Sequence, residues 1–214
     1  MLQRRELATR NASWAKSLAH QLAALGVRPN AVSIASVVFA AASATGFCAS
    51  IRFEGDGRAA LLVVAAACIQ LRLLCNLLDG MLAVEEGLKS RTGEIFNDLP
   101  DRIADVLILV AAGYGARPLA QAAPLGWAAA VVAMFTAYVR VLGGSLSLAQ
   151  HFIGPMAKQH RMFVLTVAAL LGAAEAIWDV PPRALTAGLI IIVIGSLATA
   201  VRRTRRILQE AEAR

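Results

Sequence analysis

Residues 75–105 gather Asn76, Asp79, Asn97, Asp98, Asp101 and Asp105 into one short stretch of an otherwise oily chain. Carboxylates and amide oxygens converging from two segments suit a hard divalent cation. Mg²⁺ takes oxygen ligands, often one or two carboxylates together with substrate phosphates. Read as helix, residues 72–84 place Arg72, Asn76, Asp79 and Ala83 on one face, at steps of four, three and four. Gly80 follows Asp79 and leaves room for a ligand to approach the backbone. A second helix from 97 onward places Asn97, Asp101 and Asp105 on one face. The short connection 85–96 predicts that the two helices are antiparallel neighbours whose polar faces meet. The plainer alternative is an internal salt-bridge network, with Arg72 and Arg102 offsetting Asp79 and Asp101. Ionisable groups at membrane depth cost about 2.5–3.5 kcal/mol each on insertion scales, so they pair, face water or bind a ligand.

The elements that must hold these faces are apolar helices. The chain is 58% hydrophobic and only 16% charged, against about 45–50% and about 25% in soluble domains. A span needs roughly 20 apolar residues. Six candidates satisfy this, at about 32–51, 59–82, 97–116, 122–143, 162–178 and 184–201. The third has a polar beginning, which is the acidic stretch itself. The charged, long approach to the first span predicts no cleavable signal peptide. The formal charge of +7 comes from a topological bias that argues against nucleic acid as a partner. Lys and Arg cluster in both terminal segments and in the second and fourth loops, while the other loops hold only Arg52, Arg58, Arg117 and Arg183. The positive-inside rule then puts both termini in the cytoplasm, and the basic excess serves orientation and contact with anionic membrane lipids. Cys48, Cys68 and Cys75 read as buried apolar residues. His20, His151 and His160 lack metal-ligand spacing.

Before the first span, Leu7, Trp14, Leu18, Leu22 and Leu25 form a helical stripe. Gly26 is placed to stop that helix, and Pro29 disfavours helix at Arg28. The stripe predicts an amphipathic helix lying on the cytoplasmic membrane surface, packed on its own membrane domain, or both. The expected organisation is a cytoplasmic amphipathic helix and linker over 1–29, a six-span all-α membrane domain over 30–208 and a cytoplasmic tail over 209–214. The short loops between spans make a small transporter the weakest of the functional alternatives.

The acidic stretch resembles the signature of the CDP-alcohol phosphatidyltransferases, Asp-x-x-Asp-Gly-x-x-Ala-Arg, eight residues, Gly-x-x-x-Asp-x-x-x-Asp. This chain has Asn76-x-x-Asp79-Gly80-x-x-Ala83-Val84, eight residues, Gly93-x-x-x-Asn97-x-x-x-Asp101. The spacing matches throughout, and five of the eight residue types match. "RPNAVS" at 28–33, "AYVR" at 137–140 and "GPMAKQHR" at 154–161 look like family features too. The resemblance implies an inner-membrane, multi-pass, usually homodimeric enzyme of phospholipid synthesis. Such an enzyme transfers a phosphatidyl-type group from a CDP-linked lipid donor to a small or phosphorylated alcohol acceptor and releases CMP, using divalent metal, Mg or Mn. Carried over by position, Asp79 is a metal ligand, and Asp101 is a metal ligand and the base. Asn76 and Asn97 take the other two metal positions, where an amide oxygen can bind but brings no charge. Gly80, Ala83 and Gly93 line the CMP site, and Arg72 could give positive charge directly to the donor phosphates. Arg140, Lys158 and Arg161 form a pocket for a phosphate-bearing acceptor; for Lys158 and Arg161 the alternative is an inside-positive anchor. The missing charges also allow a catalytically silent relative that binds lipid or a partner. The acceptor alcohol stays open.

The charge asymmetry yields a direct test. Cysteines introduced in 53–57 are expected to react with an impermeant reagent outside intact cells, and cysteines in 208–214 only after permeabilisation. Labelling of the C-terminal site from outside would reverse the orientation.

Overall fold

A computed structural model describes residues 12–88, 92–116, 121–148 and 153–213. Seven helices account for most of them: α1 Ser13–Ala24, α2 Pro29–Ser50, α3 Gly55–Val84, α4 Gly93–Gly115, α5 Ala122–Ser145, α6 Lys158–Ile177 and α7 Ala184–Glu212. Among the described residues there is no strand. Helices α2, α3, α5, α6 and α7 are long and apolar enough to cross a membrane. Large hydrophobics such as Val38, Val64, Val131, Phe163 and Ile194 face outward on them. This is the build of a multi-pass integral membrane protein. Helix α4, the expected third span, is not one of the five, because Asp98, Asp101, Arg102 and Asp105 load its first half with charge.

The long helices pack in a closed cycle, α2 on α3, α3 on α6, α6 on α7, α7 on α5, α5 on α4 and α4 back on α2. This corrects the expectation that α3 and α4 lie side by side. Helix α2 packs heavily on both, and they touch each other at few places. Small residues make the wedge possible. Ser36, Ala40, Ser43 and Gly46 of α2 are buried, and Ser43 donates a hydrogen bond to the Ala65 carbonyl at 3.0 Å. On the other side Gly115 approaches the Phe47 backbone so closely that a Cβ would lie 2.8 Å from its carbonyl oxygen. The polar faces of α3 and α4 still meet, but at one end of the bundle.

Local signals at the start of the chain act as expected. Gly26, at φ 74°, ends α1, with the Val27 amide donating to the Leu22 carbonyl at 3.0 Å. Arg28 is extended and Pro29 opens α2 at its first turn. The packed face of α1 takes in part of the leucine stripe, with Leu18 and Leu22 half-buried against the cluster that α1 forms with α3. Ala15 and Ala19 are its fully buried positions, and they join Cys75, Leu78 and Leu82 of α3 in a small cluster. Trp14 and Leu25 of the stripe remain exposed, and Leu7 lies outside the described residues.

Gly113 and Gly126 bring α4 and α5 into backbone contact, since a Cβ on either would sit 2.8 Å from the other's Cα. Gly126→Leu is therefore expected to destabilise the fold by about 1–3 kcal/mol through overpacking. A lowered unfolding temperature in detergent checks it; an unchanged one would mean that α4 and α5 separate freely.

Candidate active site

The site sits where the C-terminal half of α3, the N-terminal half of α4, the end of α5, the start of α6 and the last part of α7 come together. A cavity of about 550 Å³ opens there. Its wall takes Asn76 and Gly80 from α3, Asn97, Asp98 and Asp101 from α4, Thr136 and Arg140 from α5, Lys158 and Arg161 from α6, Arg203 from α7 and Trp14 from α1. Of the residues expected at the site, Ala83 and Gly93 are outside this wall, and Arg72 and Asp79 stand behind it.

Asp105 forms the foundation. It is 2% exposed. Arg72 Nη2 donates to Asp105 Oδ1 at 2.8 Å, and Arg161 Nη2 donates to Asp105 Oδ2 at 2.8 Å. A buried charge in so apolar a bundle needs such pairing. The same Arg72 nitrogen reaches Asp101 Oδ1 at 3.2 Å. Arg72 is itself fully buried, so it acts as a partner for carboxylates; the expected direct contact with donor phosphates does not fit its position. Arg161 is equally enclosed. It also donates to the Met156 carbonyl at 3.1 Å and to Thr136 Oγ1 at 3.3 Å, which favours anchoring over acceptor contact.

Asp101 lies one turn before Asp105 and faces the cavity. Its Oδ1 accepts from Asn76 Nδ2 at 2.7 Å, and its Oδ2 accepts from Lys158 Nζ. The placement of Lys158 follows from the loop before it. Gly154 sits at φ 122°, where a Cβ would run into Thr199 at 2.5 Å. The Met156 amide donates to Thr199 Oγ1 at 2.9 Å, and Arg203 Nε donates to the Ile153 carbonyl at 3.0 Å. Helix α7 thus pins the loop, and the loop delivers Lys158 to the cavity.

Asp98 takes Arg102 Nη2 at 2.7 Å and Arg140 Nη2 at 2.9 Å. The plain salt-bridge expectation is therefore met by different pairs, Arg72 with Asp101 and Asp105, and Arg102 with Asp98. Asp79 has no arginine. It is buried, Ser33 Oγ donates to its Oδ2 at 2.7 Å, and among the described residues its Oδ1 has no hydrogen-bond partner. Ser33 was not among the expected site residues; its only signal was the last letter of "RPNAVS", one turn after the proline that starts α2.

The fit to divalent metal can be tested on these atoms. Among the described residues no three His, Cys, Asp or Glu side chains gather as a metal cage. Asn76 turns its amide nitrogen to Asp101, and Asn97 is exposed on the cavity wall. Asp79 Oδ1, by contrast, is a buried acceptor with no well-aligned donor among the described residues, a state that costs about 1–3 kcal/mol unless a ligand relieves it. With the Asn76 amide oxygen on the same face, it fits one oxygen-seeking cation that completes its shell with substrate phosphate.

No protein-family model matches the chain, and no curated protein does either. Solved structures do. The crystal structure of Mycobacterium tuberculosis phosphatidylinositol phosphate synthase with CDP-DAG bound aligns at TM-score 0.75 and 21% identity, covering 92% of this chain and 94% of that one. The chain shares its fold. The same synthase in complex with manganese and citrate aligns at TM-score 0.74 over 91% of this chain and 88% of that one. Its apo form aligns at 0.72 over 90% and 95%, again at 21% identity.

Asp105→Asn is expected to destabilise the protein by about 3–5 kcal/mol, because it leaves Arg72 and Arg161 buried without their common counter-charge. Thermal unfolding in detergent measures this. A variant as stable as the parent would show that the two arginines find other partners.

Proposed function

We propose that the protein transfers a substituted phosphate group from a CDP-linked lipid to an alcohol, with release of CMP. The observation that carries this reading is the placing of Asp101 on the wall of a cavity and of Asp79 just behind it. Both carboxylates hold matched signature positions, on a fold shared with a synthase whose crystal holds CDP-DAG. The reading makes the protein a CDP-alcohol phosphatidyltransferase with a divergent signature. Its helix α4 is a sixth span with a polar cytoplasmic end, α1 lies at the membrane surface, and both termini are cytoplasmic. It acts as a homodimer.

The chemistry follows from the side chains. Asp101 accepts the proton of the acceptor hydroxyl, as a carboxylate in hydrogen-bond reach can. The hydroxyl oxygen bonds to the lipid-bearing phosphorus, and the bond from that phosphorus to the CMP oxygen breaks. A divalent ion held by Asp79 with the Asn76 oxygen, joined by Asn97 and Asp101, would neutralise the leaving phosphate. Gly80 leaves the α3 backbone open to the nucleotide side of the donor, with Ala83 and Gly93 further along the same site. Arg140, on the wall beside Asp98, favours an acceptor that carries phosphate, with Lys158 and Arg161 close by. The acceptor class itself is for experiment to name.

A silent relative that binds lipid is the second reading. Its support is the tethering of Asp101 by Arg72, Asn76 and Lys158, which a purely structural carboxylate would also show. Purified protein incubated with CDP-diacylglycerol, Mg²⁺ or Mn²⁺ and a panel of alcohols is expected to release CMP with one class of acceptor. Asp79→Ala and Asp101→Ala are each expected to lower that release by at least about 10²-fold while still inserting and folding. Full turnover by either variant would remove the assignment; no release from the parent with any alcohol would favour the silent reading.

A further inference from the structure

We propose that Gln70, held in place by Thr166, reads an acyl-ester carbonyl of the donor lipid, so that the site prefers a diacyl donor to an ether-linked one. The inference rests on the CDP-lipid donor of the transferase reading and deepens it by naming the lipid part.

The cavity has two sides of opposite character. Its charged groups come from α4, α5, α6 and α7, whereas α3 supplies Leu73, Leu74 and Leu77, beside Trp14 of α1. Gln70 belongs to the same wall. It precedes the three leucines by three, four and seven residues, so it continues their stripe toward the middle of α3. The surface around it is built for hydrocarbon: Leu71 of α3 and Phe163 and Val167 of α6 are exposed on helices long and apolar enough to span. Gln70 is itself exposed, a polar end to an otherwise apolar flank.

The hydrogen bonds around Gln70 fix what it can offer. Thr166 Oγ1 donates to the Met162 carbonyl at 2.8 Å, so its proton is spent and it can only accept. Gln70 Nε2 donates to that oxygen at 2.8 Å. The amide is thereby turned with its nitrogen toward α6, and its side chain makes no other hydrogen bond among the described residues. One N–H and the carbonyl oxygen stay available. The plain alternative is a clasp between α3 and α6. A single side-chain hydrogen bond between membrane helices contributes little, while an amide left short of partners in hydrocarbon is costly. Water serves the spare groups of an open cavity, but a lipid chain along the apolar flank displaces it. The polar group that a diacyl lipid carries into such a place is an ester carbonyl, an acceptor for the spare N–H. The level agrees. Gln70 lies six residues before Asn76, about 9 Å along the axis of α3, and Asn76 touches Asp101 where the reacting phosphate would sit. A glycerol unit bridges a gap of that order. An ether oxygen is a poorer acceptor, so a dialkyl donor would leave the same N–H underpaired.

The test compares CDP-diacylglycerol with CDP-dialkylglycerol, each displacing radiolabelled CDP-diacylglycerol from the purified full chain in detergent, with Mn²⁺ and no acceptor. The native protein is expected to bind the diacyl donor about 2- to 12-fold tighter, the equivalent of about 0.5–1.5 kcal/mol for one hydrogen bond. Gln70→Leu should bring the two donors level by weakening the diacyl one. Thr166→Val should shrink the preference, because the amide loses its setting, and Thr166→Ser should keep it. Equal affinities in the native protein would overturn the inference. So would Gln70→Leu or Thr166→Val that weakens both donors alike or neither, which is the behaviour of a helix clasp. Donor preference without CMP release from any alcohol would instead remove the transferase reading and leave the contact standing; no binding of either donor would remove both. If Gln70→Leu does not fold, the native comparison and Thr166→Val decide.

Discussion

Asp105 is a charge that the bundle can neither expose nor leave alone. It lies in the interior between Arg72 of α3 and Arg161 of α6, and each arginine takes one of its oxygens. Because α3 and α4 barely touch, this pair of contacts does what helix packing does not. It fixes α4 against α3 and α6 at the end where the chemistry would occur. Asp101 is one turn away on the same helix, so its aim into the cavity is set by the anchoring of its neighbour. Arg161 also holds the Met156 carbonyl, which ties the same anchor to the loop that delivers Lys158. Truncating any one of the three leaves the buried cluster a charge out of balance, and the cost of that is large compared with a surface ion pair.

Much of this was legible in the sequence, and the parts that were not have identifiable causes. The helices appear where apolar length predicts them, because a span must satisfy its backbone internally and run the thickness of the hydrocarbon. Steps of four and three put Asn76 with Asp79, and Asn97 with Asp101, on shared faces. Helical periodicity, however, gives faces and not neighbours. The intrusion of α2 between α3 and α4 depends on small residues at Ser36, Ala40, Ser43 and Gly46, and these look unremarkable in a membrane chain. The stripe in α1 located the packed face only in part, through Leu18 and Leu22. Leucine periodicity marks an apolar face, but alanines at 15 and 19 mark the closer one.

Long side chains were the least predictable element. Arg72, Lys158 and Arg161 can each reach several partners, so spacing alone could not divide them between substrate and protein. The structure commits Arg72 to carboxylates behind the wall and puts Lys158 and Arg161 on the wall, each paired with a carboxylate of α4. Ser33 shows the opposite case. Its hydroxyl reaches the Pro29 carbonyl one turn back, as the local helix allows, but its other partner, Asp79, lies 46 residues away along the chain, and only the folded bundle joins them.

The hydrogen bond from Asn76 to Asp101 also bears on how such a site could change over generations. A single codon step to aspartate at 76 would set two like charges against each other before any new ion had a complete shell. A single loss of Lys158 would leave Asp101 short of a counter-charge. Both substitutions act on the same carboxylate, so the two positions are coupled in the sense measured by double-mutant cycles. Changing both at once would set a new like charge against Asp101 and remove its lysine in the same step, so tolerance of either change depends on the other being absent.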